Sequence, residues 1–312
     1  MFKSSPLLMR RACVRDRSYV SLHVQRFRFR PKSPFPEKLL EGSDAELNFL
    51  ADALEKEGYQ VGGYTAAMPR DSLMTVGNTI IEAPFSWGSR KREVDLAYSG
   101  VLKELEKEGS ITIVRAPKIF GVDTIYDDIG PVQEGVQKSG KNGNHVWAIN
   151  NSRVVIGQYS NVTTHKGVEY LRACVPDGYT VEILEVNDPH AMHIDATILP
   201  LKQGLLVYNP LRTSEIALRR HSVLREWDLR PYPFVPRKRE TPPLFTTWEW
   251  LCMNALSISE KKVLIEEKDI QLAEWVRQFG IKAIPLPLQH VHSIGGSFHC
   301  ATVDLIRHGV IS

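Results

Sequence analysis

Apolar positions recur at helical spacing over residues 43–57, where Leu47, Leu50 and Leu54 share one face and Gly58 stands where the helix would end. Ser43 with Glu46 three residues on has the form of a capping box, which sets the expected start at Ser43. A short strand, Tyr59 to Val61, is expected to follow at once. The same phrase returns four times. Helix Glu93 to Glu108 is followed by Gly109 and strand Ile111 to Val114. A helix through Leu171 is followed by Gly178 and strand Tyr179 to Leu184. Helix Ser214 to Glu226 leads through Asp228 to a strand from Leu229, and helix Ile270 to Phe279 leads through Gly280 to strand Ile281 to Ile284.

The turn positions 58, 109, 178, 228 and 280 are 51, 69, 50 and 52 residues apart, so one interval holds an insertion and the others nearly agree. Such spacing argues for five copies of one supersecondary unit. Further strands are expected at Leu73 to Ile81, Ser152 to Gly157, Leu205 to Tyr208 and Lys262 to Ile265, which makes each unit a helix packed on a small sheet. Candidate reactive residues fall at comparable places after the turns: Asp71 at 13 residues, Asp123 at 14, His193 at 15 and Cys300 at 20. Units set around an axis would bring these side chains to one end of it.

Composition narrows the class. With 312 residues, 43% hydrophobic and 24% charged, the chain has the make-up of a soluble globular protein of one large or two small domains. Its four cysteines are too few and too scattered for a disulfide scaffold and form no zinc-binding pair, and no apolar run approaches the roughly 20 residues of a membrane span. The net charge of +3 conceals an asymmetry: residues 1–36 carry seven Arg and two Lys against one Asp, or +8, leaving −5 for residues 37–312. Basic charge confined to a tail does not describe a nucleic-acid-binding face. Arg10, Arg11, Arg15 and Arg17 among Ser and apolar residues have the composition of a mitochondrial transit peptide; the alternative is an ordered strand at Arg26 to Arg30, in a cytoplasmic protein.

Four sites could carry chemistry, each with a plainer alternative. Cys300 lies in Gly295-Gly296-Ser297-Phe298-His299-Cys300, where paired glycines allow a tight turn and close approach; it is a nucleophile or a buried inert thiol. His193 and Asp195, in Met192-His193-Ile194-Asp195, would point the same way on an extended chain, as proton transfer or cation binding requires; a structural histidine is the alternative. For Asp71, which stands before an apolar stretch, the plainer reading is a turn residue or helix cap, and for Arg212, after Asn209-Pro210-Leu211, a surface charge. Trp248 and Trp250 are expected to pack, and Arg219, Arg220 and Arg225 to be solvated.

Taken together, M-P-R-D (68–71), V-G-N-T-I-I-E-A-P (76–84), M-H-I-D-A-T (192–197), N-P-L-R (209–212), W-L-C-M-N (250–254) and G-G-S-F-H-C (295–300) resemble the glycine amidinotransferase family over about residues 35–312. The resemblance implies an α/β pentein fold, a five-bladed α/β propeller of ββαβ-type modules around a pseudo-fivefold axis, with the first module incomplete. It implies transfer of an amidino group from arginine to an acceptor amine, with Cys300 as nucleophile and His193 as general acid and base. Asp71 and Asp195 would hold the guanidinium, and Arg212 the substrate carboxylate. Carboxylates suit that task, because a guanidinium stays protonated and presents a planar fork of donors. No cofactor and no metal is called for, since nucleophile, base and electrostatic partners are all side chains. Small-molecule substrates are the expected partners, together with a second copy of the chain as a homodimer.

Two departures accompany the resemblance. The family's F-D-A-A-D-F motif, whose first Asp partners the histidine, corresponds to Lys141-Asn142-Gly143-Asn144-His145-Val146-Trp147, which puts an uncharged Asn144 in place of the acid. The Arg-rich segment stands where the family has its first strand.

Overall fold

The computed structural model describes residues 5–8, 36–59, 68–84, 93–109, 111–117, 147–149, 153–160, 163, 165–188, 191, 193–236 and 249–306. Their elements, in chain order, are β1 (Ser5–Leu8), α1 (Glu37–Lys56), β2 (Leu73–Val76), β3 (Thr79–Glu82), α2 (Ser99–Glu108) and β4 (Thr112–Val114). There follow β5 (Trp147–Ile149), β6 (Val154–Gln158), α3 (His165–Cys174), β7 (Thr180–Leu184), β8 (Ile198–Lys202), β9 (Leu205–Tyr208), α4 (Glu215–Arg219) and β10 (Asp228–Pro231). The chain continues through β11 (Leu256–Ser259), β12 (Lys262–Glu266), α5 (Ile270–Val276), β13 (Lys282–Leu286), α6 (Gln289–Ser293) and β14 (Thr302–Ile306).

One pattern repeats. A hairpin of two strands is followed by a helix and a third strand that returns parallel to the second, so the second strand is central in the sheets β2-β3-β4, β5-β6-β7, β8-β9-β10 and β11-β12-β13. The helix is the crossover that a parallel pair needs. A two-stranded sheet pairs β1 antiparallel with β14, Leu8 opposite Thr302. Four of the five turn positions read from the sequence are left-handed glycines, Gly58, Gly109, Gly178 and Gly280, with φ of 85°, 70°, 82° and 72°. That conformation costs glycine little and other residues more, so the pattern stands out in the sequence.

The chain divides into two compact units. The first comprises residues 1–70, 195–210 and 226–308, and the second 71–194, 211–225 and 309–312. In the first unit one cluster packs Leu199, Leu201, Val207, Val263 and Ile265 against Leu272 and Val276 of α5, with Trp250 edge-on to Tyr232 at 5.7 Å. A second packs Leu47, Leu50 and Leu54 of α1 against Leu256, Leu264, Phe298 and Ala301. In the second unit, Met74, Val76 and Ile81 pack with Val155, Val168, Leu171 and Val181.

Several expectations are corrected. α1 begins at Glu37, so Ser43 is no cap: it lies inside the helix, where its hydroxyl donates to the carbonyl of Leu39 at 2.8 Å. Glu46 instead accepts the backbone N–H groups of His290 at 3.0 Å and Val291 at 2.9 Å, capping α6. The run from Leu73 to Ile81 is a hairpin and not one strand, because Gly77 at φ 58° and Asn78 form a two-residue turn that reverses the chain between Val76 and Thr79. The helix expected over 214–226 ends at Arg219 and passes into a 3₁₀ turn at Ser222–Leu224, with Ser214 as its cap, accepting from the N–H of Ala217. β1 falls inside the Arg-rich segment, where no first strand is expected. The strand proposed at Arg26 to Arg30, Asp123, Asn144 and Trp248 lie outside the described residues.

Candidate active site

In the first unit, Cys300 stands between α6 and β14 on a turn closed by the bond from the Ala301 N–H to the Ser297 carbonyl at 2.9 Å. Phe298 and Ala301 anchor the turn in the core, and Arg70 donates from Nε to the carbonyl of His299 at 2.7 Å. The thiol is buried, with 3% of its surface exposed. Asp195 reaches it from a 3₁₀ turn, Ile194–Ala196, that precedes β8, so this stretch is not the extended chain the sequence suggests.

A hydrogen-bonded group surrounds the sulfur. Cys300 Sγ donates to Oδ2 of Asp195 at 3.2 Å, and the same oxygen receives Nδ2 of Asn254 at 2.5 Å and Nδ1 of His299 at 3.2 Å. Because a carboxylate accepts, the His299 contact needs the tautomer that carries its proton on Nδ1. Asn254 also donates to Sγ at 3.1 Å. Asn254 and His299 belong to motifs legible in the sequence, yet neither is assigned a role there. The signal was available. Asp71 precedes the first strand of its module by two residues, Asp195 by three, Asn254 by two and Cys300 by two. The register counted back from the first strand is tighter than that counted on from the glycine turn, because the insertions fall between.

In the second unit, Asp71 ends a 3₁₀ turn, Pro69–Asp71, before β2. Its Oδ1 lies 3.8 Å from Nδ1 of His193, an ion-pair distance that gives the imidazole a charge partner. Arg212 is not the surface charge of the plainer reading: its side chain is 2% exposed. It donates from Nε to Asp188 at 2.8 Å and from Nη1 to the carbonyl of His193 at 3.1 Å. Two more bonds fasten the segment before His193, from the N–H of Asn187 to the Arg212 carbonyl at 2.7 Å and from the Thr213 hydroxyl to the Glu185 carbonyl at 3.0 Å. The expected partners thus fall into two groups, Asp195 with Cys300 in one unit, and Asp71, His193 and Arg212 in the other.

Cys174 and Cys252 are also free thiols. Burial pushes the Cys174 thiol above its ordinary range, with a bond from Tyr170 acting against it, and burial likewise raises the Tyr170 hydroxyl. Arg219 pairs on the surface with Glu215, as expected of a solvated helix face.

A buried thiol bonded to a carboxylate and an amide is a candidate nucleophile, and the relatives of the chain say in which class of protein it stands. The chain belongs to the amidinotransferase family: it is 35% identical to an L-arginine:L-lysine amidinotransferase of Pseudomonas savastanoi pv. phaseolicola over 91% of this chain and 84% of that one. It is 31% identical to the mitochondrial glycine amidinotransferase of Danio rerio over 89% of this chain and 72% of the relative. Among solved structures, an amidinotransferase of the saxitoxin biosynthetic pathway from Microseira wollei matches with a TM-score of 0.77 and 28% identity over 90% of this chain and 87% of that one. An inosamine-phosphate amidinotransferase from Streptomyces griseus also matches with a TM-score of 0.77, at 25% identity over 99% and 92%. No family model matches the chain. The protein is an amidinotransferase, a transferase of α/β pentein type. No helix among the described residues is long and apolar enough to cross a membrane.

Proposed function

We propose that the protein moves the amidino group of L-arginine to an acceptor amine through an amidino-cysteine on Cys300, releasing ornithine. The carrying observation is the bonding of Cys300 Sγ to both Asp195 and Asn254. In this reading Asp71 and Asp195 hold the guanidinium, whose positive charge offsets the negative charge the sulfur acquires on losing its proton. The thiol proton passes to His193, and the thiolate attacks the central guanidinium carbon. The C–N bond to the ornithine nitrogen then breaks, and His193 supplies that nitrogen with a proton. The amidino group remains on sulfur. The acceptor amine gives a proton to His193 and attacks the same carbon, and the C–S bond breaks to return the thiolate. The reading requires His193 and Cys300 to serve one guanidinium. Arg212 is assigned the carboxylate of the amino-acid substrate; its fork already holds a carboxylate, that of Asp188.

The acceptor is a primary amine. Glycine and lysine are the first to test, since relatives bear those names. The five modules are assigned to a pseudo-fivefold propeller on the strength of four complete β-β-α-β units, with β14, β1 and α1 supplying parts of the fifth. A homodimer and a mitochondrial location, the latter resting on the Arg-rich segment, complete the proposal.

The test is incubation with arginine and either glycine or lysine, following ornithine, guanidinoacetate and homoarginine by mass, with Cys300→Ala as control. Ornithine with one amidinated acceptor, and an amidino adduct on Cys300 in intact-mass spectra, is the expected result. Citrulline would replace this reading with hydrolysis, and arginine binding without turnover would replace it with a silent guanidine-binding protein.

A further inference from the structure

The amide of Asn254 is oriented by its own partners. Its Oδ1 accepts from the backbone N–H of His299 at 3.0 Å and of Cys300 at 3.3 Å. A nitrogen with two hydrogens could not receive those donors, so the amide cannot be turned over. Its Nδ2 therefore faces the other way, toward Asp195 Oδ2 at 2.5 Å and Cys300 Sγ at 3.1 Å. The residue is 1% exposed and stands two residues before β11, the module position that Asp71 and Cys300 occupy in theirs.

We propose that Asn254 is the positioning residue of the nucleophile, holding the backbone of the Cys300 turn with its oxygen and directing hydrogens at the sulfur and at Asp195 with its nitrogen. The inference rests on the reading of Cys300 as nucleophile. While the sulfur is a thiol, it donates to Asp195. Once the proton leaves, that contact sets two negative charges 3.2 Å apart, and Asn254 donates to both of them. Within this unit Asp195 faces the sulfur from the turn before β8, and His299 bonds that same carboxylate, with Arg70 bound to the carbonyl of His299.

Holding and donating can be separated. In Asn254→Asp one carboxylate oxygen can still accept the N–H groups of His299 and Cys300, but the other puts negative charge where the amide hydrogens were. Asn254→Ser loses most of both roles. The experiment is alkylation of Cys300 by iodoacetamide as a function of pH in the full chain, resolved from the other cysteines by peptide mass spectrometry, with thermal unfolding measured alongside. Asn254→Asp is expected to raise the pH midpoint of Cys300 alkylation by about one unit or more, a roughly tenfold loss of rate below both midpoints, while unfolding cooperatively. Asn254→Ser raises the midpoint as well, and carries the test should the aspartate variant fail to fold. An unchanged midpoint in a folded variant overturns the inference. Alkylation needs no arginine, so that result leaves the transfer reading untouched, whereas absence of ornithine from the unaltered protein refutes the transfer reading and leaves the midpoint measurable.

Discussion

The guanidinium of Arg212 donates to the carboxylate of Asp188 at 2.8 Å while a second nitrogen holds the carbonyl of His193. One side chain with 2% of its surface exposed thus fastens the segment that presents the histidine. Arg212→Ala leaves the Asp188 carboxylate without this partner, and breaking a pair of this kind costs about 3 kcal/mol. Denaturant unfolding should show that loss, and on the proposed reading the variant's KM for arginine should rise. Arg212→Lys keeps the charge but not the fork, so it should lose less stability.

Gly296 has room for a side chain only if the end of Met68 moves aside. A Cβ there would lie 2.3 Å from Sδ of Met68 and 3.1 Å from Cβ of Cys300. Gly296→Ala should destabilise by about 1 kcal/mol, the low end for overpacked cores because the flexible end of Met68 can yield, and should slow turnover by displacing the Cys300 turn. Met68→Ala in the same chain should recover part of the stability, and a double-mutant cycle in thermal unfolding measures the coupling.

Glu46 caps α6 from the middle of α1, and His290 Nδ1 lies 2.7 Å from the same carboxylate. Glu46→Ala would strand the N–H groups of His290 and Val291, at about 1–3 kcal/mol. Amide exchange at Val291 should accelerate more than at Leu54, on the far end of the same helix.

Tyr170 donates its hydroxyl to the carbonyl of Glu82 at 2.9 Å, and its ionisation is pushed upward first by burial and then by Cys174. The sign follows from linkage. The unfolded chain loses this proton near the ordinary value of about 10 while the folded chain keeps it, so the contribution is complete below that pH and is lost as pH rises beyond it. Stability should fall above about pH 10, and Tyr170→Phe should flatten that part of the urea-midpoint curve against pH.

The modules were legible because their signals are local. Leu47, Leu50 and Leu54 mark a buried helix face, and Gly58, Gly109, Gly178 and Gly280 mark left-handed turns without reference to the rest of the chain. The start of α1 was misread because Ser43 and Glu46 satisfy a local capping rule while their actual partners are an interior carbonyl and a helix some 240 residues away. Cys300 and Asp195 stood out by residue type. Asn254 did not, since an amide has neither charge nor nucleophilicity, and its importance appears only when its two ends are seen to face backbone and sulfur. Arg212 was found, but its pairing with Asp188 depends on how residues 24 apart meet in space.

A protein proposed to grip guanidinium ions must also contend with those it carries. Arg70 is spoken for by the carbonyl of His299, the hydroxyl of Thr302 at 3.4 Å and the carboxylate of Asp304 at 3.8 Å, and Arg212 by Asp188 and the carbonyl of His193. The partners of both guanidinium groups lie within the same unit as the arginine that holds them. On the proposed reading, the molecule is thereby spared intramolecular mimicry of its own substrate.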